Sequence, residues 1–321
     1  MSTEILVTGG GGLLGYAVKK ICPEAVFLTR RDGDLTDLGE VHRLFETHRP
    51  KRVLHLAARV AGVKSNAKNN ADLFASNVQI NTHVLNAARQ HKVTRLVSVL
   101  SSCAFQFYED RPSTEDDLHV GLPFEGNLGY GYAKRMLDVQ TRVLYQQDGC
   151  PFSTLTPVTM YGPNDNWDLE EGHVIGSLIH KCFLAKEEAK ALEVWGSGKA
   201  VRQFVFSSDV ARILLQALES FHGPQTVVMT PDSGITIAEL AKLIAETMSF
   251  KGPLLFNADR PEGQRVRVIQ SRKFSSQFPG FRFTPLEEGL KETVEWYIMR
   301  PFIFKEKRRH IDTEMTSTYD H

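Results

Sequence analysis

Cysteine is scarce in this chain, with 4 in 321 residues. Cys22, Cys103, Cys150 and Cys182 stand apart without a C-x-x-C pair, so neither a zinc site nor a disulfide framework is suggested, and no metal is expected. That usage fits a reducing compartment. No apolar run approaches the ~20 residues of a membrane span. The first strand pattern begins almost at once, leaving no space for a basic-then-apolar leader, so a cytoplasmic protein without a membrane segment is expected. An excess of one charge is missing too. Lys plus Arg and Asp plus Glu each number 38, so no overall field draws the chain to nucleic acid or an anionic surface, and any anionic ligand must be held locally. No internal repeat occurs. Hydrophobic residues at 42% and charged residues at 24% are ordinary for a globular protein, and the length suits two domains sharing a cleft.

Glycine, by contrast, is concentrated near the start. Ile5, Leu6 and Val7 form the continuous apolar run of a strand covered on both faces, and Leu13, Leu14, Tyr16, Ala17 and Val18 carry helical spacing. Gly9, Gly12 and Gly15 occupy the join as G-x-x-G-x-x-G, where the free N–H groups of a helix start can hold a pyrophosphate. A dinucleotide site is therefore expected there, lined by Gly9, Gly12, Leu13, Leu14 and Gly15.

The strand-helix alternation continues. Ala25–Leu28 reads as a second strand and ends at Arg30 and Arg31 instead of an acid, which favours the 2′-phosphate of NADP over the bare ribose of NAD. Asp34 is placed to accept a hydrogen bond from the adenine amino group. A helix over Val41–Thr47 precedes a third strand, Arg52–Ala58, whose small Ala57 and Ala58 would let a cofactor pass. His55 within that run reads as a core histidine. A helix from Leu73 to Gln90 and a strand from Val93 to Leu100 follow, with Ser101, Ser102 and Cys103 at the strand's carboxyl end, where open parallel sheets bind ligands.

Tyr130 and Lys134 lie one turn apart on the next helical pattern and so share a face. A lysine beside a phenol favours the phenolate and should lower the tyrosine's pKa from about 10, making a proton-transfer pair. A further strand, Phe152–Pro157, brings Pro157 to the same edge. The fold class expected is α/β: an NADP-binding Rossmann-type domain with a doubly wound parallel sheet over residues 1–160, with a return segment near 203–222. A smaller mixed α/β substrate domain would cover 161–300, and 301–321 would form a polar tail.

Taken together, Gly9/Gly12/Gly15, Ser101 and Tyr130/Lys134 resemble the extended short-chain dehydrogenase/reductase family of nucleotide-sugar enzymes. Ser101-Ser102-Cys103, Pro163-x-Asp165-Asn166, His173-Val174-Ile175, and Val194-Trp195-Gly196-Ser197-Gly198 followed by Arg202 are similar to its bifunctional epimerase-reductases of GDP-sugars. The resemblance runs from about Glu4 to about Trp296. It implies that GDP-4-keto-6-deoxy-mannose is epimerised at C3 and C5 and then reduced at C4 with NADPH. It also implies Cys103 as base, His173 as acid beside the nicotinamide, Tyr130 as proton donor to the C4 oxygen, Ser101 as its hydrogen-bond partner, and Lys134 on the nicotinamide ribose. Ser102, Asn166, Lys181, Trp195 and Arg202 are implied as further substrate contacts, and a homodimer through the helices at 73–90 and 130–145.

This chain departs from the family at Thr159, where asparagine is common, at Gln106, where proline is common, and at Lys181, where arginine is common. It also lacks the glycine-loop arginine that some members use on the 2′-phosphate. Two other readings use the same scaffold. A simple C4 epimerase or reductase would leave Cys103 and His173 idle, and a non-catalytic NADP-binding regulator would need neither Ser101, Tyr130 nor Lys134.

Overall fold

A computed structural model describes residues 4–60, 69–260 and 262–300. Most of the polar stretch from Lys64 onward and the whole expected tail at 301–321 lie outside the described residues. Apolar runs became buried strands and amphipathic runs became helices around them. Strands β1 (Ile5–Thr8), β2 (Val26–Leu28), β3 (Arg52–His55), β4 (Arg95–Val99) and β5 (Phe152–Pro157) alternate with helices α1 (Leu13–Ile21), α2 (Leu38–His48), α3 (Asn70–Gln90) and α4 (Leu128–Asp148). Asp37 caps α2 by accepting from Glu40 N at 2.9 Å, and α4 stops at Gly149, whose φ of +67° a side chain would resist.

The chain then crosses into a second lobe through β6 (Thr159–Tyr161), α5 (Val174–Glu187), β7 (Leu192–Trp195) and β8 (Val201–Arg202). It returns with β9 (Phe204–Phe206), α6 (Ser207–Ser220), which packs on α1, and β10 (Thr226–Met229). β10 is the sixth strand of the main sheet, ordered β10-β5-β4-β3-β1-β2 with every pair parallel. The contribution of the later sequence to this sheet thus reaches to Met229. Strand β1 lies between β2 and β3, so successive crossovers leave it in opposite directions, and a crevice opens at the carboxyl ends there.

The remaining elements are β11 (Ile235–Thr236), α7 (Ile237–Thr247), β12 (Leu254–Asn257), β13 (Val266–Arg267) and α9 (Leu286–Ile298), which complete the second lobe, and the short α8 (Phe274–Gln277), which packs on the core of the main sheet. Two cores result. One surrounds the large sheet and includes Leu6, Phe45, Phe152 and Val228 together with Ile269, Phe274 and Phe278 from late in the chain. The other gathers Tyr161, Ile179, Leu240 and Tyr297. Each fully buried side chain of this kind contributes roughly 1.5–3 kcal/mol, so both lobes are held by their own apolar burial.

Candidate active site

The carboxyl end of β1 is shaped by two close approaches. Gly9 has φ +75°, and a Cβ there would stand 2.8 Å from Ala57 N. At Gly15 a Cβ would stand 2.6 Å from the carbonyl oxygens of Gly9 and Gly10, so only glycine lets α1 seat against the turn. Gly12 is the N-cap of α1 and offers no side-chain cap, and Leu13 and Leu14 open the helix. Its first N–H groups are therefore left for an anionic ligand, with the positive end of the helix dipole behind them.

Arg30 and Arg31 stand exposed just beyond β2, in a turn where Thr29 N and Oγ1 donate to Asp32 Oδ2. Asp34 Oδ1 accepts from both Thr36 N and Thr36 Oγ1 at 2.8 Å, so one of its oxygens is committed to its own turn. Ala57 and Ala58 follow β3, and Ala57 N donates to Thr8 Oγ1 at 3.2 Å. His55 is buried beneath them between Thr8 Oγ1 (2.8 Å) and Asn81 Oδ1 (3.1 Å), and burial, aided by the charge of Lys134, pushes its pKa down to about 4. Pro157 ends β5 opposite Met229.

The next ends along the sheet hold the candidate catalytic residues. After β4 the chain turns through a 3-10 helix, Ser102–Ala104, capped by Ser101, whose Oγ accepts from Cys103 N at 3.1 Å. α4 delivers Tyr130 and Lys134 from the same face. Lys134 Nζ donates to Val99 O at 2.7 Å and lies 5.7 Å from the centre of the Tyr130 ring. Burial pushes the lysine down to about 8, against the pull of Cys103.

The expected lowering of the Tyr130 pKa is not what this arrangement produces. Burial raises the phenol well above its ordinary value and the negative charge of Cys103 adds to the rise, while a hydrogen bond with Ser101 only partly opposes them. The ammonium of Lys134 is turned to a carbonyl, so it does not offset the loss of solvent. Tyr130 accordingly holds its proton and is suited to give it up to a developing oxyanion.

Cys103 shows the opposite balance. Burial pushes its thiol up, but the charge of Arg267, hydrogen bonds with Ser101 and Arg267, and the charge of His173 together hold it below the ordinary thiol value. Arg267 Nη2 reaches Sγ at 3.5 Å and Ser102 Oγ at 3.2 Å, and Asn127 Nδ2 reaches Sγ at 3.5 Å. His173, the N-cap of α5, faces Asp165. That carboxylate raises the imidazole above its ordinary value against partial desolvation, with the charge of Cys103 adding to the rise and Arg267 opposing it. One group is biased toward thiolate and the other toward imidazolium, the ionisation states of a base and an acid.

On the second-lobe side, Lys181 Nζ sits 4.1 Å and Arg260 5.3 Å from the ring centre of Trp195, a cationic stack of the kind that favours anions and aromatic rings alike. Arg202 donates to Val201 O and Glu262 O, and burial together with nearby Arg267 pushes its pKa down to about 10. Asn166 is occupied with its own loop, donating to Glu171 O and accepting from Asp168 N, each at 3.2 Å. Gln106 likewise serves a loop, accepting from Leu122 N at 3.0 Å. Sequence reasoning named neither Arg267 nor Asn127 as a site residue and quoted Asp165 only within a motif. Arg267 is 164 residues from Cys103, and the spacing of Arg265 and Arg267 reads locally as an exposed strand.

A doubly wound parallel sheet with a glycine-rich first turn, and Ser, Tyr and Lys at its carboxyl edge, defines a nucleotide-dependent enzyme of the short-chain type. The chain belongs to the NAD dependent epimerase/dehydratase family, whose model matches residues 5–229. Among its relatives are a GDP-L-fucose synthase of Dictyostelium discoideum, 38% identical over 303 residues with 92% of this chain and 95% of that one covered, and a probable GDP-L-fucose synthase of Drosophila melanogaster, 34% identical with 92% and 97% covered. A crystal structure of a GDP-L-fucose synthetase from Naegleria fowleri bound to NADP superposes with a TM-score of 0.87 at 35% identity, covering 92% of this chain and 93% of that one.

Proposed function

We propose that this enzyme converts GDP-4-keto-6-deoxy-D-mannose to GDP-L-fucose by epimerisation at C3 and C5 followed by reduction at C4 with NADPH. One observation carries the reading. A cysteine biased toward thiolate and a histidine biased toward imidazolium share a site with Ser101, Tyr130 and Lys134. A plain C4 reductase would need only the last three.

The C4 ketone acidifies the C3 and C5 hydrogens. Cys103 Sγ takes one of these protons, the C–H electron pair moves into the carbonyl to give an enolate, and His173 donates a proton to the opposite face of the same carbon. Sγ is then protonated and His173 neutral, and exchange with solvent restores both for the second centre. Ser101 donates a hydrogen bond to the C4 oxygen throughout. Tyr130 gives its proton to that oxygen on reduction, and Lys134 holds the nicotinamide ribose. Bound NADPH supplies the hydride for C4. The bare α1 N-terminus and the approaches at Gly9 and Gly15 fit a pyrophosphate, and Arg30 or Arg31 fits the 2′-phosphate. Arg202 and Lys181 fit the substrate diphosphate, and Trp195 the base or ribose.

We assign cofactor binding to residues 1–160 with the returning segment, and substrate binding to 161–300. The unpaired cysteines support a cytoplasmic setting, which cell fractionation checks, and no helix among the described residues is long and apolar enough to cross a membrane. The reading also includes a homodimer. Phe74 of α3 and Leu128, Met136, Val139 and Val143 of α4 are apolar and exposed, a strip that a second copy would cover around a two-fold axis. Incubation with the keto sugar and NADPH, with the product identified by NMR, tests the function. GDP-L-fucose is expected; a C4-reduced sugar with unchanged C3 and C5 would overturn the epimerase assignment.

A further inference from the structure

Arg267 belongs to the second lobe, yet its guanidinium ends at the carboxyl edge of the main sheet. The backbone on its C-terminal side is held at three places. Gln203, itself buried, donates to Ile269 O at 3.1 Å and Pro231 O at 3.0 Å and accepts from Ile269 N at 2.8 Å. Ser113 N donates to Val268 O at 3.1 Å, and Gln270 N donates to Ser113 O at 2.8 Å. The buried carboxylate of Glu115 accepts from Ser271 Oγ, Arg272 N and Lys273 N. In β13 itself Arg267 is paired with Arg202 of β8. The guanidinium carbon lies 5.1 Å from the centre of the Phe107 ring, and Nη2 reaches Ser102 Oγ and Cys103 Sγ. A guanidinium brought this far by a fixed backbone and given two neighbouring acceptors is aimed, not incidental.

We propose that Arg267 is the positioning residue for Cys103: its guanidinium orients the sulfur and balances the negative charge that the sulfur carries as a base. The catalytic part of this proposal rests on the reading of Cys103 as the base for epimerisation. The other ionisable groups around the sulfur divide by element. His173 approaches from the start of α5, and Tyr130 and Lys134 from α4. Lys134 is committed to Val99 O and His173 to Asp165, which leaves Arg267 as the cation in hydrogen-bond contact with Sγ among the described residues. Arg267 also lies near Arg202, so an alternative duty, binding the diphosphate, has to be separable by experiment.

Alkylation of the protein by iodoacetamide as a function of pH reads the sulfur without substrate or cofactor. Cys22 and Cys182 are buried with thiols pushed up to about 11, and Cys150 is buried with its thiol also raised, so labelling near neutral pH reports Cys103, with C103S as the blank. The wild-type midpoint is expected below the ordinary ~8.5. In R267Q it should rise by about one unit or more, slowing alkylation near neutral pH about tenfold. R267K should recover most of this. R267M, which keeps an unbranched chain of similar length without the charge, replaces R267Q if melting curves show that the glutamine variant does not fold. Deuterium exchange from solvent at C3 and C5 of the keto sugar should fall in parallel, with its low-pH limb displaced upward by the same interval. An unchanged alkylation midpoint in the charge-removing variant would overturn the proposal, and with weakened GDP binding it would make Arg267 a phosphate ligand instead. If the wild type does not act on the keto sugar, the substrate reading falls while the alkylation titration still decides the role of Arg267.

Discussion

Nδ1 of His173 lies 3.7 Å from Oδ1 of Asp165, and while that carboxylate is almost fully enclosed, the imidazole side chain keeps 51% of its surface accessible. The carboxylate thus acts on a group still open to a ligand. A raised pKa keeps His173 protonated to higher pH than its ordinary ~6.5, so the high-pH limb of epimerisation should sit above that value. D165N removes the charge and should move this limb down, with exchange above it falling about tenfold per pH unit of displacement. The pH profile of deuterium incorporation at C3 and C5 checks it; an unmoved limb would detach Asp165 from the acid.

In the proposed reaction Cys103 and Tyr130 serve different halves, so mutation should separate them. C103S replaces a thiol with a far weaker acid and should lose exchange at C3 and C5 while slowly giving the unepimerised GDP-6-deoxy sugar. Y130F should retain exchange while C4 reduction falls by about 10²-fold or more, the usual contribution of a positioned acid. NMR of the sugar ring in deuterated water reads both. Wild-type exchange in C103S would end the role given to the cysteine.

Neutralising Arg30 and Arg31 together should weaken NADPH far more than NADH, because only NADPH loses a charge-assisted phosphate contact, typically about 1.5–3 kcal/mol. Binding titrations of both nucleotides decide the matter. Equal weakening would move the 2′-phosphate away from these residues.

For the dimer, F74E with M136K places charge in the middle of the exposed strip on α3 and α4. Light scattering of the wild type should give twice the 36.1 kDa chain mass, and the double variant the single mass. A wild-type monomer at micromolar concentration would refute the assembly.

His55 predicts how stability responds to acid. Its folded pKa of about 4 lies below the unfolded ~6.5, so between these values the unfolded chain binds more protons. Stability should therefore fall as pH drops from about 6.5 to 4, by roughly 3 kcal/mol from this group. Denaturant unfolding at pH 7 and pH 5 should show a smaller difference for H55Q than for wild type. Equal differences would assign the acid sensitivity to other groups.

How much of this was legible beforehand depended on distance along the chain. Ile5–Val7, the three glycines and Leu13–Val18 report a strand, turn and helix because each pattern is local. Tyr130 and Lys134 could be paired by eye because a helix brings positions four apart onto one face. The ionisation of Tyr130 could not, since its direction is decided by burial and by Cys103 from another element. Nor could Arg267, whose neighbours in space are remote in sequence. The sixth strand was equally hidden: Thr226–Met229 is short, and its place beside β5 is fixed by the course of the chain through the second lobe.

The clamp made by Glu115 on residues 271–273 spans 156 to 158 positions. Contacts of such sequence separation form late and slowly, because a long loop must close before they add any stability. During synthesis the sheet through β5 and the 3-10 helix bearing Cys103 emerge well before the segment that brings Arg267. Until that segment docks, the sulfur lacks its contact with the guanidinium. On the role proposed for Arg267, readiness of the base is in that sense a late product of folding, reached only when the segment bearing Arg267 has closed over the sulfur.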